Sequence, residues 1–174
     1  MKTWFIVRLA VLAAATLAGG LLLARQDGRA QAAVASGSSR FCGEQRLFGY
    51  IRSLTKSGST YRLRFDPAFF LSGATANDAA QRDGVIPKGQ PVPNDNYVVN
   101  ESRRTYLYTV TPATRVRVLL KGGDIAGGSP IGVAALADFV HGKHLGRLFE
   151  DFRTGFWLGV HVDRACSLTQ QYRP

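Results

Sequence analysis

Thr60-Tyr61-Arg62-Leu63-Arg64-Phe65 is the stretch whose reading decides the fold class. Tyr61, Leu63 and Phe65 fall on one face of an extended chain, and Arg62 and Arg64 fall on the other. A period of two with one apolar side predicts a strand half-buried against a core. Upstream, Lys56-Ser57-Gly58-Ser59 predicts a turn, and Leu47–Leu54, with Phe48, Tyr50 and Ile51, predicts the partner strand of a hairpin. Downstream, Asp66-Pro67 predicts the end of the strand. Asp66 is placed as a cap and Pro67 in the first turn of a helical segment. Ala74–Arg82 predicts a short helix that stops at Asp83-Gly84.

Further along, Val85–Asn96 has three prolines and no periodicity, which predicts a long loop. Strands are expected at Tyr97–Val99 and Thr105–Val110, then at Arg115–Leu119 beyond the break at Pro112. In the last of these Val116 and Val118 point inward, and Arg115 and Arg117 point outward. Ser129-Pro130 predicts the cap and first turn of a second helix, Ile131–Val140, ended by Gly142. Gly155–Val162 is expected as the last strand, with Phe156, Leu158, Val160 and Val162 on one face, and residues 170–174 as a polar tail. The fold class is therefore mainly β: a small antiparallel barrel or curled sheet of about six strands with two short helices.

The N-terminus has a different composition. Met1-Lys2-Thr3 and Arg8 precede Leu9–Ala24, an uncharged run of 16 residues rich in Ala, Leu and Val. Small-residue sites of the A-x-A kind follow at Ala30-Gln31-Ala32 and Ala33-Val34-Ala35. This is the pattern of an export signal. The run is shorter than the roughly 20 residues that cross a bilayer, though Thr3–Ala24 would suffice if Arg8 snorkels. The expectation is a signal peptide or membrane anchor over residues 1–35, a linker over 36–40 and one globular domain over 41–174. The protein is then secreted or extracytoplasmic, or anchored by this segment.

Cys42 and Cys166 are the two cysteines, near the two ends of the domain. Outside the cytoplasm an even count favours a disulfide. Beyond residue 35 the chain has eighteen basic and eleven acidic residues, net +7, and fourteen of the basic ones are arginine. Such an excess suits an anionic envelope polymer or a membrane surface as partner. Solubility together with a genome-level preference for arginine is the simpler explanation. No nucleic-acid-binding motif occurs.

Asp66-Pro67-Ala68-Phe69-Phe70-Leu71-Ser72-Gly73, with Ala76, Ala79-Ala80 and Asp83-Gly84, resembles a pattern found in small exported proteins and lipoproteins of Gram-positive bacteria. Val92-Pro93-Asn94-Asp95, then Tyr97-Val98 and Asn100, resembles its second block. Phe156-Trp157 and Gln171-Tyr172-Arg173-Pro174 resemble its C-terminal end. The resemblance spans most of residues 46–174. It implies export and a shared fold, and no chemistry. This chain lacks the lipid-attachment cysteine of that group and carries an insert at Gly142–Thr154.

Two sets of side chains are candidates for function. Arg62 and Arg64 share one strand face, and Arg115 and Arg117 share another. If the strands are neighbours, the four guanidinium groups make one patch for phosphate polymers, with Tyr106 and Tyr108 available for stacking. Asp138, His141 and His144 are spaced by three, and His161 could join them as a fourth metal ligand. Against this, Gly142 is expected to end the helix between the two histidines. Ser53-Leu54-Thr55-Lys56 matches S-x-x-K, but on a strand and not at a helix start, so no acyl-transfer chemistry is expected from it. No cofactor is expected. The leading expectation is a non-enzymatic binding or scaffolding domain of the cell envelope. A small metal-dependent hydrolase and a polyanion-binding module are the alternatives.

Overall fold

The alternation at Thr60–Phe65 is the middle of a strand twice that length. In the computed structural model, which describes residues 45–173, β1 (Gln45–Ser57) and β2 (Thr60–Ser72) form a long antiparallel hairpin. Helix α1 (Gly73–Arg82), strand β3 (Asn96–Val99) and strand β4 (Tyr106–Val118) follow. Then come β5 (Ser129–Ile131), α2 (Val133–Val140), β6 (Phe156–His161) and β7 (Arg164–Gln170).

Five of the strands close into a barrel. β1 pairs β2 and β6, β6 pairs β7, β7 pairs β4, and β4 returns to β2. All of these pairs are antiparallel except β4–β7, which is parallel. Counting only barrel strands in chain order, the order is 1-2-3-5-4, with α2 between the third and fourth. This Greek-key connectivity is that of an OB barrel. The core holds Leu54, Leu63, Phe65, Val110, Val116, Phe156, Leu158 and Leu168, and Val133 and Leu136 of α2 join it. A separate small cluster, Ala76, Ala80 and Val92, packs α1 against Leu71 and Tyr97.

Several expectations are corrected. Pro67 does not end β2. Along that edge β4 stops at the Phe65–Tyr106 pair and β3 begins at Phe69–Val99. Pro67 sits in the gap between the two ladders, where its missing N–H leaves no neighbour unbonded. Pro112 does not divide two strands. It lies in a bend of one strand, where Thr114 Oγ1 accepts from the Thr111 amide at 3.1 Å and donates to the Ala165 carbonyl at 2.9 Å. The bend lets β4 leave β2 and continue along β7 and β5. Ser129-Pro130 is an edge strand and not a helix start, and α2 begins after Gly132. Among the described residues the sheet has seven strands where about six were expected, because β5 and β7 add to the count and the two expected halves of β4 are one.

The expected signal or anchor segment and the linker lie outside the described residues. Among the described residues, no helix is long and apolar enough to cross a membrane. Cys42 also lies outside them. Cys166, in β7, is not a free thiol.

Candidate functional site

The site is built from the outer face of the closing strands. Leu63, Phe65, Val110 and Ala165 point into the core and are buried. Pleating therefore turns Arg62, Arg64, Thr109 and Arg164 outward. The ladders align them: Arg62 lies beside Thr109, and Thr109 lies beside Arg164. Two strand spacings put the Arg62 and Arg164 Cα atoms about 10 Å apart. Arg64 lies beside Leu107 in the next row. Among the described residues, no carboxylate pairs with Arg62, Arg64 or Arg164. Arg103 and Arg104 are exposed in the segment leading into β4.

The face ends at the β6–β7 turn. His161 pairs with Arg164 across a two-residue loop, Val162-Asp163. The Asp163 carbonyl accepts from the Thr109 amide at 2.8 Å, which ties the turn to β4. Val162 has φ 57° and is 81% exposed. A branched side chain in the left-handed region costs roughly 1–2 kcal/mol. Exposed apolar surface continues at Leu107, 51% accessible.

The four-arginine patch does not form as expected. Arg115 and Arg117 lie beyond the bend of β4, beside Ser167 and Thr169 of β7. The Arg117 guanidinium is engaged there, donating to the Gly127 and Gly128 carbonyls at 3.3 and 2.9 Å. Arg62 and Arg64 are joined instead by Arg164, on a strand that the sequence reading missed. Tyr106 and Tyr108 stand opposite Phe65 and Leu63 and so share the inward parity, away from the arginines. Tyr108 packs edge-on against Phe65, and burial pushes its hydroxyl pKa up.

The expected metal set also separates. Among the described residues, no three of His, Cys, Asp and Glu come together to hold a metal ion. Asp138 accepts from Lys143 Nζ at 2.9 Å. His141 Nδ1 lies 2.6 Å from the Ala137 carbonyl, at the C-terminal end of α2. His144 has φ 57°, which turns the chain after the helix. His161 is at the far end of β6 from Phe156, whose neighbour Phe152 packs on Phe139 of α2. Five strand steps, roughly 16 Å, separate Phe156 from His161.

The Lys143 ammonium, chiefly by its hydrogen bond, holds the Asp138 carboxyl below its usual range. A lowered folded-state pKa contributes stability above the unfolded value, and that contribution disappears as pH falls through the folded one. In Lys143→Met, Asp138 is expected to titrate at higher pH in an NMR titration, with no response to added zinc in either protein. An Asp138 pKa that stays low in the variant, or rises on chelation, would contradict this.

One buried charge escaped sequence reading. Asp66, 2% exposed, was assigned a capping role. It sits inside β2 and receives Arg52, the extra residue of a β1 bulge, and Asn100 Nδ2 at 3.2 Å. Arg52 Nε donates to Asp66 Oδ2 at 2.9 Å, while Oδ1 has no hydrogen-bond partner among the described residues. The ion pair anchors the bulge, the Asn100 bond ties the segment after β3 to the barrel, and the Gly49 backbone packs against the Asp66 carbonyl too closely for a Cβ.

Among known proteins, no family model, no curated protein and no solved structure matches this chain.

Proposed function

We propose that the domain is a non-enzymatic, exported binding module of the cell envelope, and that Arg62, Arg64 and Arg164 take a polyanion carrying repeated phosphates. The observation that carries this reading is the row Arg62–Thr109–Arg164, which brings cations of β2 and β7 together across β4 with no carboxylate among the described residues paired to them. On OB barrels, the second and third strands and the flanking hairpin loops are the usual ligand face. Fold alone fixes no ligand, so the reading rests on the arginines. The hydrolase alternative would need a metal site, and among the described residues no group of three of His, Cys, Asp and Glu is placed to form one.

Export is supported by the basic and apolar N-terminus, by the A-x-A sites and by the resemblance to exported Gram-positive proteins. A Cys42–Cys166 disulfide belongs to the same reading. Cys166 is the bulged residue of β7 between the Ser167–Gly159 and Ala165–Val160 pairs, and Val160 also pairs with Gln45. Three residues span at most about 10 Å, so Cys42 is within reach of that point.

Binding to a soluble polyphosphate should weaken as salt rises. In Arg62→Ala with Arg164→Ala, the slope of log affinity against log salt should shrink by about 2. A titration in which the double variant keeps both its affinity and its slope would sink the proposal.

A further inference from the structure

The β6–β7 turn carries a residue that the turn does not want. A two-residue hairpin loop with positive φ only at its first central position is normally occupied there by glycine. The other two-residue hairpin of this barrel obeys the rule: Ser57 pairs with Thr60, and Gly58 has φ 61°. The equivalent place in the β6–β7 turn holds Val162, at φ 57°. Valine is strained in that conformation, and at 81% exposure it buries almost nothing. Strain of this kind persists where the side chain itself is used.

Its surroundings define the use. Arg164 follows two residues later, with Arg62 and Arg64 across β4. The register runs parallel from the Thr109–Arg164 pair, so Val162 lies on the Leu107 side of Arg164. Asp163 is the carboxylate of the turn, and its backbone carbonyl binds Thr109. The result is an apolar tip, a second exposed apolar side chain and three neighbouring arginines that no carboxylate among the described residues pairs. A polymer in water would satisfy the arginines and leave Val162 exposed. An anionic bilayer satisfies both, because a residue at the interface enters the headgroup–acyl boundary while adjacent cations meet lipid phosphates.

We infer that this face docks on an anionic membrane surface, with Val162 inserted and Arg62, Arg64 and Arg164 on the headgroups. The inference rests on the phosphate-array reading and names its partner. The test is hydrogen exchange over residues 105–109 and 161–165 of the full chain. This local readout is blind to any lipid contact made by the N-terminal segment. The chain is mixed with phosphatidylglycerol vesicles, phosphatidylcholine vesicles or soluble polyphosphate.

Exchange in both stretches should slow with the anionic vesicles and not with the neutral ones. Val162→Gly should require about tenfold more anionic lipid for half-protection, the factor that one buried valine side chain implies. It should respond to polyphosphate as the parent does. Glycine suits the turn, so an unfolding midpoint at or above that of the parent will show that the fold is intact. Protection by polyphosphate but not by anionic vesicles would overturn the membrane inference and leave the phosphate-array reading standing. So would a Val162→Gly protein protected as well as the parent. Protection by neither would overturn both.

Discussion

Replacing Gln170 by leucine is expected to destabilise the folded protein by about 3 kcal/mol. Gln170 ends β7 and is 4% exposed. Its Oε1 accepts from the buried Leu119 amide at 3.0 Å. Its Nε2 donates to the Glu150 and Asp151 carbonyls at 3.0 and 3.1 Å, and to Thr154 Oγ1 at 3.3 Å. One side chain thus joins the end of β4, the last strand and the segment leading into β6. Leucine is of similar size, so the change removes partners without opening a cavity. The Leu119 N–H would stay buried with nothing to bond, and such a donor costs about 1–3 kcal/mol. The two carbonyls can be rescued in part by water. Urea unfolding should show a lower midpoint with an unchanged slope, the sign of lost stability without a change in surface exposed. A loss under about 1 kcal/mol would mean that the amide finds another acceptor.

The barrel was legible where period-two alternation ran unbroken. Tyr61-Leu63-Phe65, Val116-Val118 and Phe156-Leu158-Val160 gave the right strands and the right inward faces, but Val162, expected on the last of these faces, lies past the strand end and is exposed. It was illegible where a bulge or an edge broke the pattern. β7 turns Ala165, Leu168 and Gln170 inward. The register shift at Cys166 puts two residues, not one, between the first and second, so the alternation disappears. The missing strand was also the one that closes the barrel. Its absence is why Arg164 was not grouped with Arg62, and why the parallel pairing to β4 went unforeseen. The prolines misled for a related reason. Pro67 and Pro130 are tolerated because of which neighbouring ladder is vacant, and that is a property of the assembled sheet.

The same logic explains the candidate site. Outward direction is a local property, and Arg62 and Arg64 were read correctly as outward. Which outward residues meet is a property of register, and one bend at Thr111–Thr114 sent Arg115 and Arg117 to another row. The Asp66–Arg52 pair could not be read at all, because it depends on a bulge that places an extra residue on one strand against a mid-strand aspartate on the other. The strain at Val162 was equally hidden. Nothing in His161-Val162-Asp163-Arg164 announces a turn, since the usual glycine or asparagine is absent.

Reducing the protein is expected to lower its stability by more than any single side-chain change, up to about 5 kcal/mol. The expected bond joins Cys166 to Cys42, the other cysteine of the chain, and closes a loop of 125 residues. Its effect lies mainly in the unfolded state. In the folded one, β1, β6 and β7 already hold this end of the chain through the Gln45–Val160 and Val160–Ala165 pairs. The bond therefore adds few native contacts, and removing it frees the denatured chain to expand. Two signatures follow from that physics. The oxidised protein should weigh two mass units less than the reduced one. The reduced protein should unfold at lower urea with a steeper dependence, because a freer unfolded chain exposes more surface. Cys42→Ser, Cys166→Ser and the double variant should then unfold almost alike, each losing the same bond. If the two single variants differ widely, or if the native mass shows two thiols, the clamp is absent and the ladder alone holds the first strand to the barrel.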